Sequence, residues 1–320
     1  MDILRLSSSL LLAIGPTLVC AAQLLVLNKE ESTLAFVDPA SGKIEATIPT
    51  GEGPHEIELS SDHKLAFVSN YGAQSDGNTL SIVDVSARKE LQRVDLGELA
   101  RPHGLSFANG ALYFTAERAR KIGRLNPASR AVEWTFATDQ DGTHMVLAAR
   151  DGATLYASNI GSSSISVIER GARDQWTQML ISVGTGPEAL DLSPDGRELW
   201  TAHSRDGGVS IIDTATKRVI ATLPLATKRS NRLKFTPNGQ LVLISDLGAG
   251  ELVVVEARTR TQKVRLPIGR FATGILIPSD DRAYVALSGD NEIAVVDLAT
   301  LRVTKKIATG KSPDGMAWVR

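Results

Sequence analysis

The segment Gly186-Pro187-Glu188-Ala189-Leu190-Asp191-Leu192-Ser193-Pro194-Asp195-Gly196-Arg197-Glu198-Leu199-Trp200-Thr201-Ala202-His203 holds a run-in turn, a short alternating strand, a tight reversal and a second strand. Pro and Gly supply the fixed and the positive φ that a reversal needs, and Asp closes it through its side chain. Period-two apolar spacing between such punctuation reads as β-structure. The unit recurs seven times, with one slot residue ahead of each apolar pair. The slots are His55 before Ile57 and Leu59, His103 before Leu105 and Phe107, His144 before Val146 and Ala148, and Glu188 before Leu190 and Leu192. Asn231 before Leu233 and Phe235, Thr273 before Ile275 and Ile277, and Asp314 before Met316 and Trp318 complete the set. Successive slots lie 48, 41, 44, 43, 42 and 41 residues apart. A period of that size with four short strands per unit predicts an all-β, seven-bladed β-propeller of four-stranded antiparallel blades. Corresponding residues of a propeller surround one axis, so the seven slots are expected to form a ring.

Each inner strand is followed by a turn such as Ala108-Asn109-Gly110 or Thr236-Pro237-Asn238-Gly239, then by a second strand such as Leu155 to Asn159. A third strand ending on Asp, Asn or Glu follows, as in Val209 to Asp213, and then a more polar outer strand such as Lys43 to Ile48. The first strand after the N-terminal segment, Leu24 to Asn28, has the character of a second strand, whereas the last, Gly315 to Val319, is an inner one. Pairing the two closes the ring by a one-plus-three clasp and removes an exposed sheet edge.

The chain has 320 residues, a formal charge of −1 and no long basic run, so no nucleic-acid partner is expected. The repeat argues for one propeller domain over residues 23–320 rather than two domains. Residues 1–22 read as a signal peptide, with an apolar stretch from Leu10 to Val19 followed by Ala21 and Ala22, and the stretch is too short to span a membrane. A periplasmic or secreted monomer without a transmembrane segment is expected. Cys20 is the only cysteine, and Thr17 and Val19 fit a lipidation motif poorly.

The second strands Tyr156-Ala157-Ser158-Asn159, Trp200-Thr201-Ala202-His203 and Leu25-Val26-Leu27-Asn28, with Ser193-Pro194-Asp195-Gly196 and Ile211-Ile212-Asp213, resemble the YVTN-type β-propeller repeat family. The resemblance covers nearly all of residues 23–320 and implies the fold. Members include surface-layer and periplasmic binding proteins, so it names no activity. Residues 112–127 resemble a repeat of the streptogramin-lyase and gluconolactonase type of propeller, which implies a divalent metal at one end of the channel. The Glu-x-His pair of the lyases is missing. No haem c site is expected without Cys-x-x-Cys-His. Neither is PQQ, since the blade count is seven and the tryptophan-bearing quinoprotein repeat is absent. The Gly-rich stretches 207–208 and 248–250 lie in hairpin loops, so no NAD cradle is expected.

His55, His103 and His144 enter three consecutive inner strands, and imidazole is a favoured ligand for divalent transition metals. They are candidate metal ligands. The competing reading makes them structural, hydrogen-bonded to the next blade's backbone. Glu188, Asn231, Lys228, Arg229, Arg270 and Lys311 fall at the same end and are candidate ligand-binding residues, the cations suiting an anionic small molecule. Glu117, expected near His103, and His203, at the end of a second strand, are the candidate acid–base groups; a solvated ion-pair loop is the competing reading for Glu117. Three functions stand open: a small-ligand binder acting directly or through a metal, a non-catalytic module docking a protein or cell-envelope component, and a metal-dependent lyase or lactonase.

Overall fold

The computed structural model describes residues 22–320. The expected signal peptide and Cys20 lie outside the described residues. Twenty-eight strands form seven four-stranded antiparallel sheets, joined by turns and by two single 3₁₀ turns at Lys29–Glu31 and Ala172–Asp174. The chain is a seven-bladed β-propeller. Blades two to seven occupy residues 54–95, 102–137, 143–182, 187–223, 230–267 and 272–308, each with its first strand innermost.

Blade one combines Pro313–Val319 with Gln23–Asn28, Thr33–Val37 and Ile44–Pro49. Its closing register pairs Leu24 with Trp318, Leu25 with Ala317 and Val26 with Met316, as the strand count predicts. Inner strands begin earlier than their apolar pairs suggest, at Pro54, Pro102, Thr143 and Pro187, so the slot residues lie within the strands. A bulge in each ladder, between Pro54 and Ile57 or Pro102 and Leu105, accommodates the extra length. The inner strand of blade seven, Ala272–Ser279, runs on through Pro278.

The core lies between blades. Trp200, Ile211 and Val209 of blade five pack against Leu233, Phe235 and Val242 of blade six, with Trp200 and Phe235 edge-to-face at 5.5 Å. Burying such side chains stabilises by about 1.5–3 kcal/mol each, so each blade depends on its neighbour. Hydroxyls then staple the inner strands. Thr115 accepts from the Gly104 amide (2.9 Å) and donates to the His144 carbonyl (2.6 Å). Ser158 donates to the Glu188 carbonyl at 3.1 Å, and Thr273 to the Pro313 carbonyl at 3.2 Å. These contacts fix the backbone of the slot residues.

Candidate functional site at the channel mouth

Two backbone features place the ring. The residue two before the slot adopts a left-handed φ in six blades: Gly53 at 58°, Arg101 at 56°, Gly142 at 64°, Gly186 at 73°, Phe271 at 54° and Ser312 at 56°. Glycine reaches that region without cost, so Arg101 and Phe271 occupy it under strain. Second, Gly104 sits directly after His103. A Cβ there would stand 2.6 Å from the Met145 Cα and 2.9 Å from the His144 carbonyl oxygen. Glycine thus lets blades three and four approach closely, and their histidines stack.

The three imidazoles do converge. His103 and His144 have ring centres 3.8 Å apart, tilted by 31°, and His55 lies 5.1 Å from His103. Tyr71 packs on His55 at 4.7 Å and meets His103 edge-on at 5.3 Å. His103 and His144 are buried. Burial pulls the His55 imidazole down to about 4. Burial and then the neighbouring His144 and His55 hold His103 well below the usual histidine range.

A second tier of side chains stands on the loops leaving the second strands. Lys29, Tyr71 and Glu117 each follow directly after such a strand in blades one, two and three. Lys29 Nζ pairs with Asp314 at 2.9 Å. Burial opposes ionisation of Asp314, but Lys29 and then Arg232 outweigh it and bring its carboxyl to about 2. Glu117 Oε2 accepts a hydrogen bond from His144 Nδ1 (3.1 Å) and one from the Tyr71 hydroxyl (3.1 Å). The Tyr71 oxygen in turn accepts from Arg101 Nη1 at 3.1 Å, and Arg101 Nε pairs with Asp76 at 2.5 Å. Burial works to raise Glu117, yet the bonds from His144 and Tyr71 and the Arg101 charge leave it below the usual carboxylate range.

Glu117 therefore partners His144 of the next blade rather than His103, and it is half-buried in a network instead of solvated. His55 Nδ1 lies 2.9 Å from the Gly53 carbonyl, an acceptor. A carbonyl and a carboxylate both require N–H on the facing nitrogen, so in their neutral forms His55 and His144 carry the proton on Nδ1 and present Nε2 as a lone pair. Elsewhere in the ring, Asn231 Nδ2 donates to Glu188 Oε1 at 2.6 Å. Below it Arg232, itself buried, pairs across the channel with Glu56.

Four of the seven ring residues hold a buried polar atom without a partner: His103 Nδ1, His144 Nε2, Asn231 Oδ1 and Asp314 Oδ1. Buried polar groups are nearly always satisfied, so each of these four atoms calls for an explanation. Among the described residues, no group of three or more His, Cys, Asp or Glu side chains already stands as a metal cage.

The other expected residues are less central. Lys228, Arg229, Arg270 and Lys311 are exposed on loops around the mouth, and Arg270 is paired with Asp290 at 2.7 Å. The cations drawn into the channel are Lys29 and Arg232, which sequence reasoning passed over. His203 lies in blade five, with Nδ1 2.9 Å from Asp206 and its ring tucked against Gly184. Burial lowers its pKa, with Asp206 opposing. Asn70 and Asp246 fill the same slot in other blades and accept from the amides of Gly51, and of Lys228 and Arg229. That slot secures loops.

No protein-family profile matches the chain. The uncharacterized protein YncE of Salmonella typhimurium is 23% identical over 168 residues, 51% of this chain and 47% of that protein. The chain thus spans about half the length of the curated relatives it matches. Among solved structures, a candidate 6-phosphogluconolactonase from Bacteroides uniformis aligns with a TM-score of 0.79 and 14% identity, over 93% of this chain and 100% of that one. Apo AztD from Citrobacter koseri aligns at 0.70 with 12% identity, over 93% and 98%. The hydrazine synthase of Kuenenia stuttgartiensis aligns at 0.71 with 19% identity, over 82% and 88%. At these identities the likeness is one of fold. Among the described residues, no helix is long and apolar enough to cross a membrane.

Proposed function

We propose that the chain is an exported propeller of the YVTN type that binds a small ligand at the histidine-bearing mouth, through a divalent transition metal held by His55, His103 and His144. The observation that carries this reading is the set of unpartnered buried atoms in the ring. Apart from His103 Nδ1, whose role depends on its tautomer, their chemistry is one-sided. His144 Nε2, Asn231 Oδ1 and Asp314 Oδ1 are acceptors, and His55 Nε2 is a further lone pair. Such a set is complementary to a cation rather than to a bare anion, so an anionic ligand would bind only together with the metal.

The ring spacings bear on the fit. Imidazoles sharing one tetrahedral zinc, with Zn–N of about 2.0–2.1 Å, keep their centres roughly 5 Å apart. His55 and His103, at 5.1 Å, stand at that spacing; His103 and His144, at 3.8 Å, stand closer. The hydrogen bonds on the far nitrogens of His55 and His144 are of the kind that orients metal-ligating histidines. The metal would supply a Lewis acid for the ligand's anionic group. Export rests on the apolar segment Leu10 to Val19 followed by small residues.

Metal analysis and calorimetric titration with Zn(II) and Cu(II), on protein purified without a histidine tag, test the reading. About one equivalent per chain is expected, reduced in His55→Ala, His103→Ala and His144→Ala with the fold intact. Stoichiometric absence of metal after reconstitution would falsify it and leave an interaction surface as the preferred function.

A further inference from the structure

We infer that Glu117 is a positioning residue, which with Tyr71 locks His144 in the Nδ1–H tautomer so that its Nε2 lone pair is presented to the ligand. The inference follows from four contacts. Glu117 Oε2 sits 3.1 Å from His144 Nδ1 and 3.1 Å from the Tyr71 hydroxyl. Tyr71 is itself held by Arg101, through a 3.1 Å hydrogen bond and through the guanidinium 4.7 Å above its ring. Arg101 is anchored on Asp76 and occupies a left-handed backbone position that three other blades give to glycine. The result is a chain of five side chains from the rim to a buried imidazole.

Each link has a chemical consequence. A carboxylate only accepts, so the proton of neutral His144 must face it. The Tyr71 hydroxyl donates to the same oxygen, which fixes the carboxylate plane as well as its charge. Because Nε2 of His144 is buried without a partner, the lock has no alternative hydrogen bond to compete with it. Glu117 does not reach the ligand; it sets the direction and basicity of the atom that does, as outer partners of ligating histidines do.

The tautomer half of the inference needs no metal, and the affinity half rests on the function proposed above. The test uses ¹⁵N-edited NMR of the histidine rings in the full folded protein and titration with Zn(II) alone. In the unsubstituted protein His144 should be the Nδ1–H tautomer. Glu117→Ala should release it into a mixture and weaken Zn(II) binding about 10–100-fold. Glu117→Gln keeps an acceptor oxygen and should preserve the tautomer, losing only part of the affinity with the charge. Tyr71→Phe should give the smallest loss. Thermal melting within a few degrees of the parent verifies that each variant is folded. An Nε2–H tautomer for His144 in the parent overturns the inference, and so does an unchanged tautomer in Glu117→Ala. A parent that shows the lock but binds no Zn(II) supports the tautomer assignment and sinks the metal reading.

Discussion

The mouth ring and the layer three residues deeper on the same inner strands use polar side chains in opposite ways. The deeper layer comprises Glu58, Ser106, Leu147, Asp191, Lys234, Leu276 and Ala317. There Ser106 accepts from the Ala148 amide at 3.0 Å, Asp191 from the Phe235 amide at 2.9 Å, and Glu58 from the Phe107 amide. These three groups accept from the backbone of the next blade, and Lys234 pairs with the Asp191 carboxylate at 3.7 Å. At the mouth the ring leaves four buried polar atoms without partners. One periodic scaffold thus carries a layer whose acceptors join blades and a layer that leaves four buried polar atoms without protein partners. The difference tells apart two kinds of buried polar residue that look alike in a strand.

The largest expected effect tests the tie between the layers. Arg232→Met would remove the charge that offsets the burial of Glu56 and leave a buried carboxyl without its partner, which costs about 3–5 kcal/mol. For a chain of this size, a loss of that order lowers the melting temperature by roughly 10 °C. A melting curve within a degree or two of the parent would show that the pair carries no such burden.

A second pair of variants sets the layers directly against each other. Asp191→Ala strands the Phe235 amide and is expected to cost about 1–3 kcal/mol. His103→Leu keeps most of the volume and removes an unpartnered nitrogen, so it should be neutral or mildly stabilising while Zn(II) binding falls. Calorimetric melting of both proteins decides; a greater loss in His103→Leu than in Asp191→Ala would reverse the roles assigned to the two layers.

The smallest effects concern pH, where the layers should pull in opposite directions. Burial lowers His55 to about 4, so between that value and about 6.5 the unfolded chain holds more protons. Its contribution to stability therefore rises with pH through that window and is lost as pH falls through it. Burial raises Glu58 to about 7. There the folded chain holds more protons from about 4.5 upwards, and stability falls as pH rises to about 7. Urea midpoints from pH 4 to 8 should show the fall vanish in Glu58→Gln and the rise shrink in His55→Asn. Parallel profiles for the parent and both variants would mean that neither group titrates as burial implies.

The fold was legible because its signals are local. Gly186-Pro187, Ser193-Pro194-Asp195-Gly196 and their equivalents punctuate every blade, and Leu24 to Asn28 and Gly315 to Val319 differ in strand character. That contrast carries the clasp. The histidine ring was legible for the same reason, since its members occupy one repeat position. Lys29 and Tyr71 escaped notice because Asp314 is reached only through ring closure, and His103 and Glu117 only across a blade boundary. A weak signal existed, because Lys29, Tyr71 and Glu117 all follow directly after second strands. Glu117 is expected near His103, and its hydrogen bond goes to His144 of the next blade, whose ring stands 3.8 Å from that of His103. Arg232 reads in Asn231-Arg232-Leu233-Lys234 like the outward residue of an alternating strand. In a propeller, however, the innermost strand has no outward face.

The clasp has a consequence for the order of events in the cell. Asp314 is the last ring member to be synthesised, and it arrives on the strand that closes blade one against Gln23–Asn28. Its partner Lys29 follows that first strand, so the mouth is completed by a 2.9 Å contact between the two ends of the propeller. Until the closing strand is seated, six of the seven positions exist without the seventh. A ligand that recognises the whole ring therefore binds only chains that have finished folding. By mass action it should hold the closed form against reopening. Occupancy of the mouth would then report, one molecule at a time, on whether the circle has been joined.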